Sequence, residues 1–154
     1  MKLQNSCIVP AGFTESWDFL MDVAGSAKCV PGVVEAIWDG EECYRGTLRA
    51  KVGPMSITLA GTVTVQEREA ESGRARFLVE ASDRRVGGGV KTDMLMQLTA
   101  RSPTETELTI ETDTTFMGRL GELGQPVIRR KAQSTIEEFA RNLSRELAAR
   151  GNST

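Results

Sequence analysis

The last part of the chain constrains the fold more than any other. From about Pro126 to Ala149, apolar residues recur at intervals of three and four: Val127, Ile128, Ala132, Ile136, Phe139, Ala140, Leu143 and Leu147. On a helix these positions form one stripe. Arg129, Arg130, Lys131, Glu137, Glu138, Arg141, Arg145 and Glu146 fall mostly on the other side. At 1.5 Å per residue such a helix is roughly 36 Å long. A stripe that long needs a broad apolar surface to lie against, and the middle of the chain supplies one as a run of alternating strands.

Those strands announce themselves by a period of two. Tyr44, Gly46, Leu48, Ala50 and Val52 alternate with Arg45, Thr47, Arg49 and Lys51. Gly53-Pro54 turns the chain, and Met55, Ile57, Leu59, Gly61, Val63 and Val65 then alternate with small polar residues. These two strands are expected to pair antiparallel, with one buried and one wet face. Three more follow, with inner faces Ala75/Phe77/Val79/Ala81, Val90/Thr92/Met94/Met96/Leu98 and Leu108/Ile110/Thr112/Thr114/Phe116. Before them, Val33 to Trp38 reads as a short strand.

The beginning of the chain adds one strand and two short helices. Lys2 to Val9 alternates, with Leu3, Asn5, Cys7 and Val9 on one face, and Pro10 ends it. From about Phe13 to Met21 a short helix is expected, with Phe13, Trp17, Leu20 and Met21 on one face. Asp22 is placed to cap a second helix, Val23 to Cys29, which Pro31-Gly32 stops. Met117 to Leu123 is glycine-broken and reads as a helical lead-in to the last helix. Pro126 suits that helix's first turn. Helices at the ends and contiguous strands between them predict an α+β fold, an antiparallel sheet curled around the last helix. One domain is expected over residues 1–150, with 151–154 as a frayed tail.

Composition narrows function mainly by exclusion. The 154 residues contain no histidine, and 19 basic side chains against 21 acidic ones leave a net charge of −2. Nothing here gathers nucleic acid. Without histidine, His-dependent triads and the commonest metal ligand are gone. Cys7, Cys29 and Cys43 show no CxxC spacing, so no zinc site is expected. They read as small buried hydrophobes in a reduced compartment. No apolar run reaches membrane-span length, and Met1 to Ser6 carries no signal-peptide h-region. The expectation is a cytoplasmic protein.

The order of elements resembles the helix-grip fold of the START-like (SRPBCC) superfamily. Within it the chain resembles the CoxG family associated with carbon monoxide dehydrogenase. The residues that carry the resemblance are Trp17, Cys29-Val30-Pro31-Gly32, Tyr44-Arg45-Gly46, Lys51-Val52-Gly53-Pro54 and Gly61-Thr62-Val63-Thr64-Val65 with Glu67. Gly118-Arg119-Leu120-Gly121 and Gly124 match the approach to the last helix. The resemblance implies a hollow between sheet and helix that holds an apolar ligand, specifically a respiratory quinone, with no covalent cofactor. It also implies a molybdenum hydroxylase, such as carbon monoxide dehydrogenase, as partner. Members often carry a C-terminal extension that touches the membrane. This chain ends at Thr154, so transient contact with the inner membrane is expected rather than stable anchoring.

The candidate lining residues are inward positions of the expected elements: Trp17 and Met21; Tyr44, Leu48, Met55 and Ile57; Met94, Met96, Thr112 and Phe116; Leu120 and Ile128. Methionine fills core gaps but also re-packs around varied ligands. Gly46, Ala50 and Gly61 leave room where a filled core prefers bulk, though glycine also serves sheet bending. Asn5, Thr92, Thr112 and Thr114 are inward polar groups that bind a carbonyl or find partners of their own. Trp17 and Tyr44 read as an aromatic wall, and Trp38 as a packed core residue with its N–H bonded. Asp83 to Gly89 reads as a flexible hairpin loop, with a docking loop carrying Arg84 and Arg85 as the alternative. Glu35, Asp93 and Glu111 do not pair by spacing, so no catalytic residue is assigned. Three functions therefore stand in order: a non-enzymatic carrier, an adaptor recruiting a partner enzyme to the membrane, and a cyclase or dehydratase relying on Tyr44.

Overall fold

The alternating stretches assemble into one antiparallel sheet. The computed structural model describes residues 1–151. In chain order it contains β1 (Lys2–Val9), α1 (Phe13–Met21), α2 (Val23–Ser26), a 3₁₀ turn (Ala27–Cys29) and β2 (Val33–Trp38). Then come β3 (Cys43–Val52), β4 (Met55–Glu69), β5 (Arg74–Asp83), β6 (Gly88–Ser102) and β7 (Glu105–Gly118). A second 3₁₀ turn (Arg119–Glu122) leads to α3 (Gln125–Gly151). Asn152, Ser153 and Thr154, most of the expected frayed tail, lie outside the described residues. The sheet is seven-stranded, in the order β1-β7-β6-β5-β4-β3-β2. β2 to β7 form a meander. β1 closes it by pairing with β7 from Lys2↔Asp113 to Val9↔Thr106. This is the expected α+β helix-grip arrangement.

Local chemistry explains the turns and the curl. Gly53 sits first in the two-residue β3–β4 turn at φ +58°, the positive angle such a hairpin demands of its first residue. Register shifts at Val33/Glu35, Val65/Glu67 and Ala100/Ser102 bend the strands. Gly61 deepens the bend: a Cβ there would lie 1.9 Å from the Glu80 carbonyl oxygen and 2.5 Å from Ala81 Cα. Only glycine permits so close an approach of β4 to β5.

Two connections differ in detail from expectation. The Asp22 side chain does accept from Gly25 N–H, at 3.3 Å, but the α-helix it caps ends at Ser26 and tightens into 3₁₀ geometry to Cys29. A last turn often does so before a proline-bearing stop. In the stretch expected as a helical lead-in, Met117 and Gly118 continue β7, and only Arg119–Glu122 coils. Gly118, at φ +62° and ψ −139°, makes the break, because that conformation is closed to side-chain-bearing residues.

Packing divides into two clusters. The larger joins α1, α2, β1 and the ends of β4 to β7 to Leu143 and Leu147 of α3. The smaller gathers Val52, Ile57 and Leu120 with Met55, Val86, Phe116, Leu123 and Val127. They occupy opposite ends of α3.

Candidate functional site

Cross-strand register shows what lies between the two clusters. Residues directly opposite on antiparallel strands share a face, with Cβ atoms about 5 Å apart. One row of the concave face therefore runs Tyr44–Val63–Val79–Thr92–Thr114 across β3 to β7. The next row runs Gly46–Gly61–Ala81–Val90–Phe116. On the other side is Val65–Phe77–Met94–Thr112, completed on β1 by Leu3.

Every residue in the first two of these rows keeps accessible surface, although β4, β5 and β6 are the central strands of the sheet. In a filled core the centre is the driest place. Here the driest side chains are at the ends: Leu98, Leu108 and Leu143 in one cluster, Leu120 in the other.

The helix shows the same pattern. Ile128 near one end and Leu143 and Leu147 near the other are buried, whereas Ala132, Thr135, Ile136 and Phe139 between them are half-buried. The closest backbone approaches of α3 are to β1, to the 3₁₀ turn before β2 and to β3. The central strands β4, β5 and β6 are not among these closest approaches. A span of mostly apolar wall thus remains incompletely covered beneath the helix.

The polar groups in that span are few. Thr92 and Thr114 face one another in the first row, their hydroxyl oxygens 2.9 Å apart. One hydroxyl donates to the other, which leaves a second hydrogen atom and spare lone pairs free to turn toward a guest. Among the described residues no group of three His, Cys, Asp or Glu side chains converges as a metal ion would require. The Cys7 and Cys29 thiols are both pushed above their ordinary value, chiefly by burial, so they remain neutral rather than nucleophilic.

The expected lining residues separate into two groups. Tyr44, Leu48, Met94, Thr112 and Phe116 lie half-buried on the concave face, Tyr44 and Met94 against the larger cluster and Phe116 against the smaller. Met55 is half-buried against the smaller cluster. Trp17, Met21 and Met96 are built into the larger cluster, Ile57 and Leu120 into the smaller, and Ile128 is buried on α3. Positions that the sequence does not single out but that share the open rows are Val63, Val79, Ala81 and Val90. Alternation marks all four sheet positions as inward. What it does not supply is their alignment across strands.

Three other expectations are adjusted. Trp38 is not a core residue: it is 62% exposed, because it stands at the end of the edge strand β2, which has a neighbouring strand on one side only. Its indole N–H is nonetheless bonded, donating to the Glu41 carbonyl at 2.8 Å. The loop from Asp83 to Gly89 is tied down. The buried Asp83 carboxylate accepts from the backbone N–H groups of Thr58 (2.8 Å), Arg85 (2.9 Å) and Val86 (3.2 Å), and Arg85 donates to the Ser56 carbonyl. Of the cysteines only Cys29 is fully buried; Cys7 and Cys43 are half-buried.

Comparison with known proteins agrees with this architecture. Residues 8–148 match the family model for CoxG of carbon monoxide dehydrogenase. No curated protein sequence matches the chain. Among solved structures, a conserved protein from Geobacillus kaustophilus superposes with a TM-score of 0.87 at 21% identity, covering 97% of this chain and 96% of that one. An aromatase/cyclase from a Streptomyces species gives 0.72 at 13% identity over 99% and 96% of the two chains. A START superfamily protein from Mycobacterium smegmatis gives 0.71 at 13% identity over 96% and 97%. At such identities the likenesses speak for the fold alone.

Proposed function

Because this chain belongs to the CoxG family of carbon monoxide dehydrogenase, we propose that it is a non-enzymatic carrier of an apolar small molecule, most specifically a respiratory quinone. It would serve a molybdenum hydroxylase of the carbon monoxide dehydrogenase type and need no covalent cofactor. The observation that carries this reading is the incompletely covered wall beneath the middle of α3. A quinone's isoprenoid tail would lie along Val63, Val79, Val90 and Ile136, where each Å² of apolar surface removed from water contributes about 25 cal/mol before ordering costs. The ring carbonyls would accept hydrogen bonds from the Thr92–Thr114 pair. Tyr44 in the same row and Met94 in the adjoining one would flank the ring.

Delivery to a membrane-borne electron acceptor would require a cytoplasmic protein that touches the inner membrane in passing. No helix among the described residues is long and apolar enough to cross a bilayer.

The test is extraction and mass spectrometry of the natively expressed protein, followed by titration of the stripped protein with a short-chain quinone. Co-purifying quinone and saturable one-to-one binding are the expected results. Quinone absent from the extract, together with no binding on titration, overturns the proposal.

A further inference from the structure

A second hollow, of about 420 Å³, opens between the α2 segment and the last turns of α3. It lies at the far end of the helix from Arg129 and Arg130. Its rim carries Lys28, Arg145 and Arg150 with one carboxylate, Glu146, and Phe19 and Gly25 contribute apolar surface. Among the described lining residues three cations face one anion, and the Asp22 carboxylate lies beside Gly25, whose N–H it accepts at 3.3 Å.

The two guanidinium groups are held in place. Arg150 Nε lies 3.2 Å from Glu146 Oε1, and its guanidinium carbon sits 4.6 Å from the centre of the Phe19 ring. Arg145 Nη2 donates to Asn142 Oδ1 at 2.6 Å, and Asn142 Nδ2 donates in turn to the Cys29 carbonyl at 2.9 Å. Arg145 is thereby tied through Asn142 to the backbone of the 3₁₀ turn. Lys28 comes from that separate element and has no ion-pair partner among the described residues.

A cation in the last turn of a helix complements the helix dipole, which accounts for Arg150 alone. It does not account for Lys28, or for the relay that fixes Arg145. We infer that this hollow binds a phosphate monoester. The predominantly cationic rim suits a phosphate dianion, guanidinium forks suit its oxygens, and Phe19 offers the organic portion a surface. This site is separate from the wall beneath the middle of α3 and stands whether or not that wall takes a quinone. The same chemistry is presented by a soluble phosphate ester and by the headgroup of phosphatidic acid.

Two binding measurements distinguish these sources. Glycerol 3-phosphate is titrated calorimetrically at low salt. In parallel, the protein is sedimented with phosphatidylcholine vesicles with and without phosphatidic acid. Binding in the first arm identifies a soluble ester; binding only to the phosphatidic acid vesicles identifies the headgroup. In whichever arm responds, Lys28→Gln and Arg145→Gln each weaken binding about tenfold, as loss of a charge-assisted contact does. Arg129→Gln with Arg130→Gln, which removes charge at the other end of α3, leaves it unchanged. Lys28 is exposed and unpaired, so Lys28→Gln decides the matter should Arg145→Gln fail to fold. No binding in either arm overturns the inference, as does an equal loss in the Arg129/Arg130 control.

Discussion

The two halves of the concave face are made of similar residues and pack differently. Toward α1 and α2, the sheet meets the last turns of α3 through Leu143 and Leu147, and Leu98 and Leu108 beneath them are almost wholly dry. Between the clusters, Val79 and Ile136 are no less apolar, yet they stay half-buried. The difference is geometric. The first half has a third layer, α1 with α2, that fills the angle between helix and sheet. The second has only α3, whose closest backbone approaches are to β1, β3 and the turn before β2, toward the margins of the sheet. Apolar content alone therefore does not say whether a surface is core or wall.

This contrast can be broken most directly with matched truncations. Leu143→Ala should cost about 2–5 kcal/mol, as buried Leu→Ala changes do. Ile136→Ala, two turns earlier on the same stripe, should cost roughly 1 kcal/mol because its side chain is already partly hydrated. Urea denaturation of both variants measures the difference; equal costs would mean that the middle is as solid as the end.

A filling substitution sharpens the comparison from the other side. Val79→Phe adds bulk at the centre of the open row, so stability should change by less than about 1 kcal/mol instead of showing the penalty of overpacking. Quinone affinity should fall at least about tenfold, or ~1.4 kcal/mol. A large loss of stability with affinity intact would place no free space there.

The smallest effect concerns the margin of the smaller cluster. The Thr58, Val86 and Arg85 N–H groups hold the Asp83 carboxyl below its ordinary 3.8, the Thr58 bond contributing most and burial opposing it. A folded-state pKa below the unfolded one stabilises fully above the ordinary value. That contribution is lost as pH falls from about 3.8 through the depressed value. Asp83→Asn should flatten the acid limb of the stability curve and leave the larger cluster untouched. Urea midpoints followed from neutral pH into acid check this. Parallel acid limbs in the two proteins would show that Asp83 is not responsible.

Much of the architecture is legible in the sequence because its signals are local. Alternation locates every strand but β2, which reads as a short apolar run, and β1, α1 and β2 match their expected bounds residue for residue. The lead-in before α3 differs because a glycine that reads as interrupting a helix, Gly118, instead ends a strand at φ +62°. Trp38 differs because burial of an edge strand depends on what covers it, and nothing in residues 33–38 encodes that. The candidate wall is legible one strand at a time: Tyr44, Met94, Thr112 and Phe116 can be named as inward. Their neighbours Val63 and Val79 cannot be ranked above any other inward valine without register.

The sequence by itself determined which residues face inward, where the chain turns, and that a long apolar stripe would seek a sheet, since periodicity and turn chemistry act between near neighbours. Only the tertiary structure decided which inward residues are dry. That depends on where α3 stands, and its position is set by contacts at β1, β3 and the turn before β2, brought together from distant parts of the chain. The pairing of Thr92 with Thr114, and the meeting of Lys28 with Arg145 and Arg150, were decided in the same way.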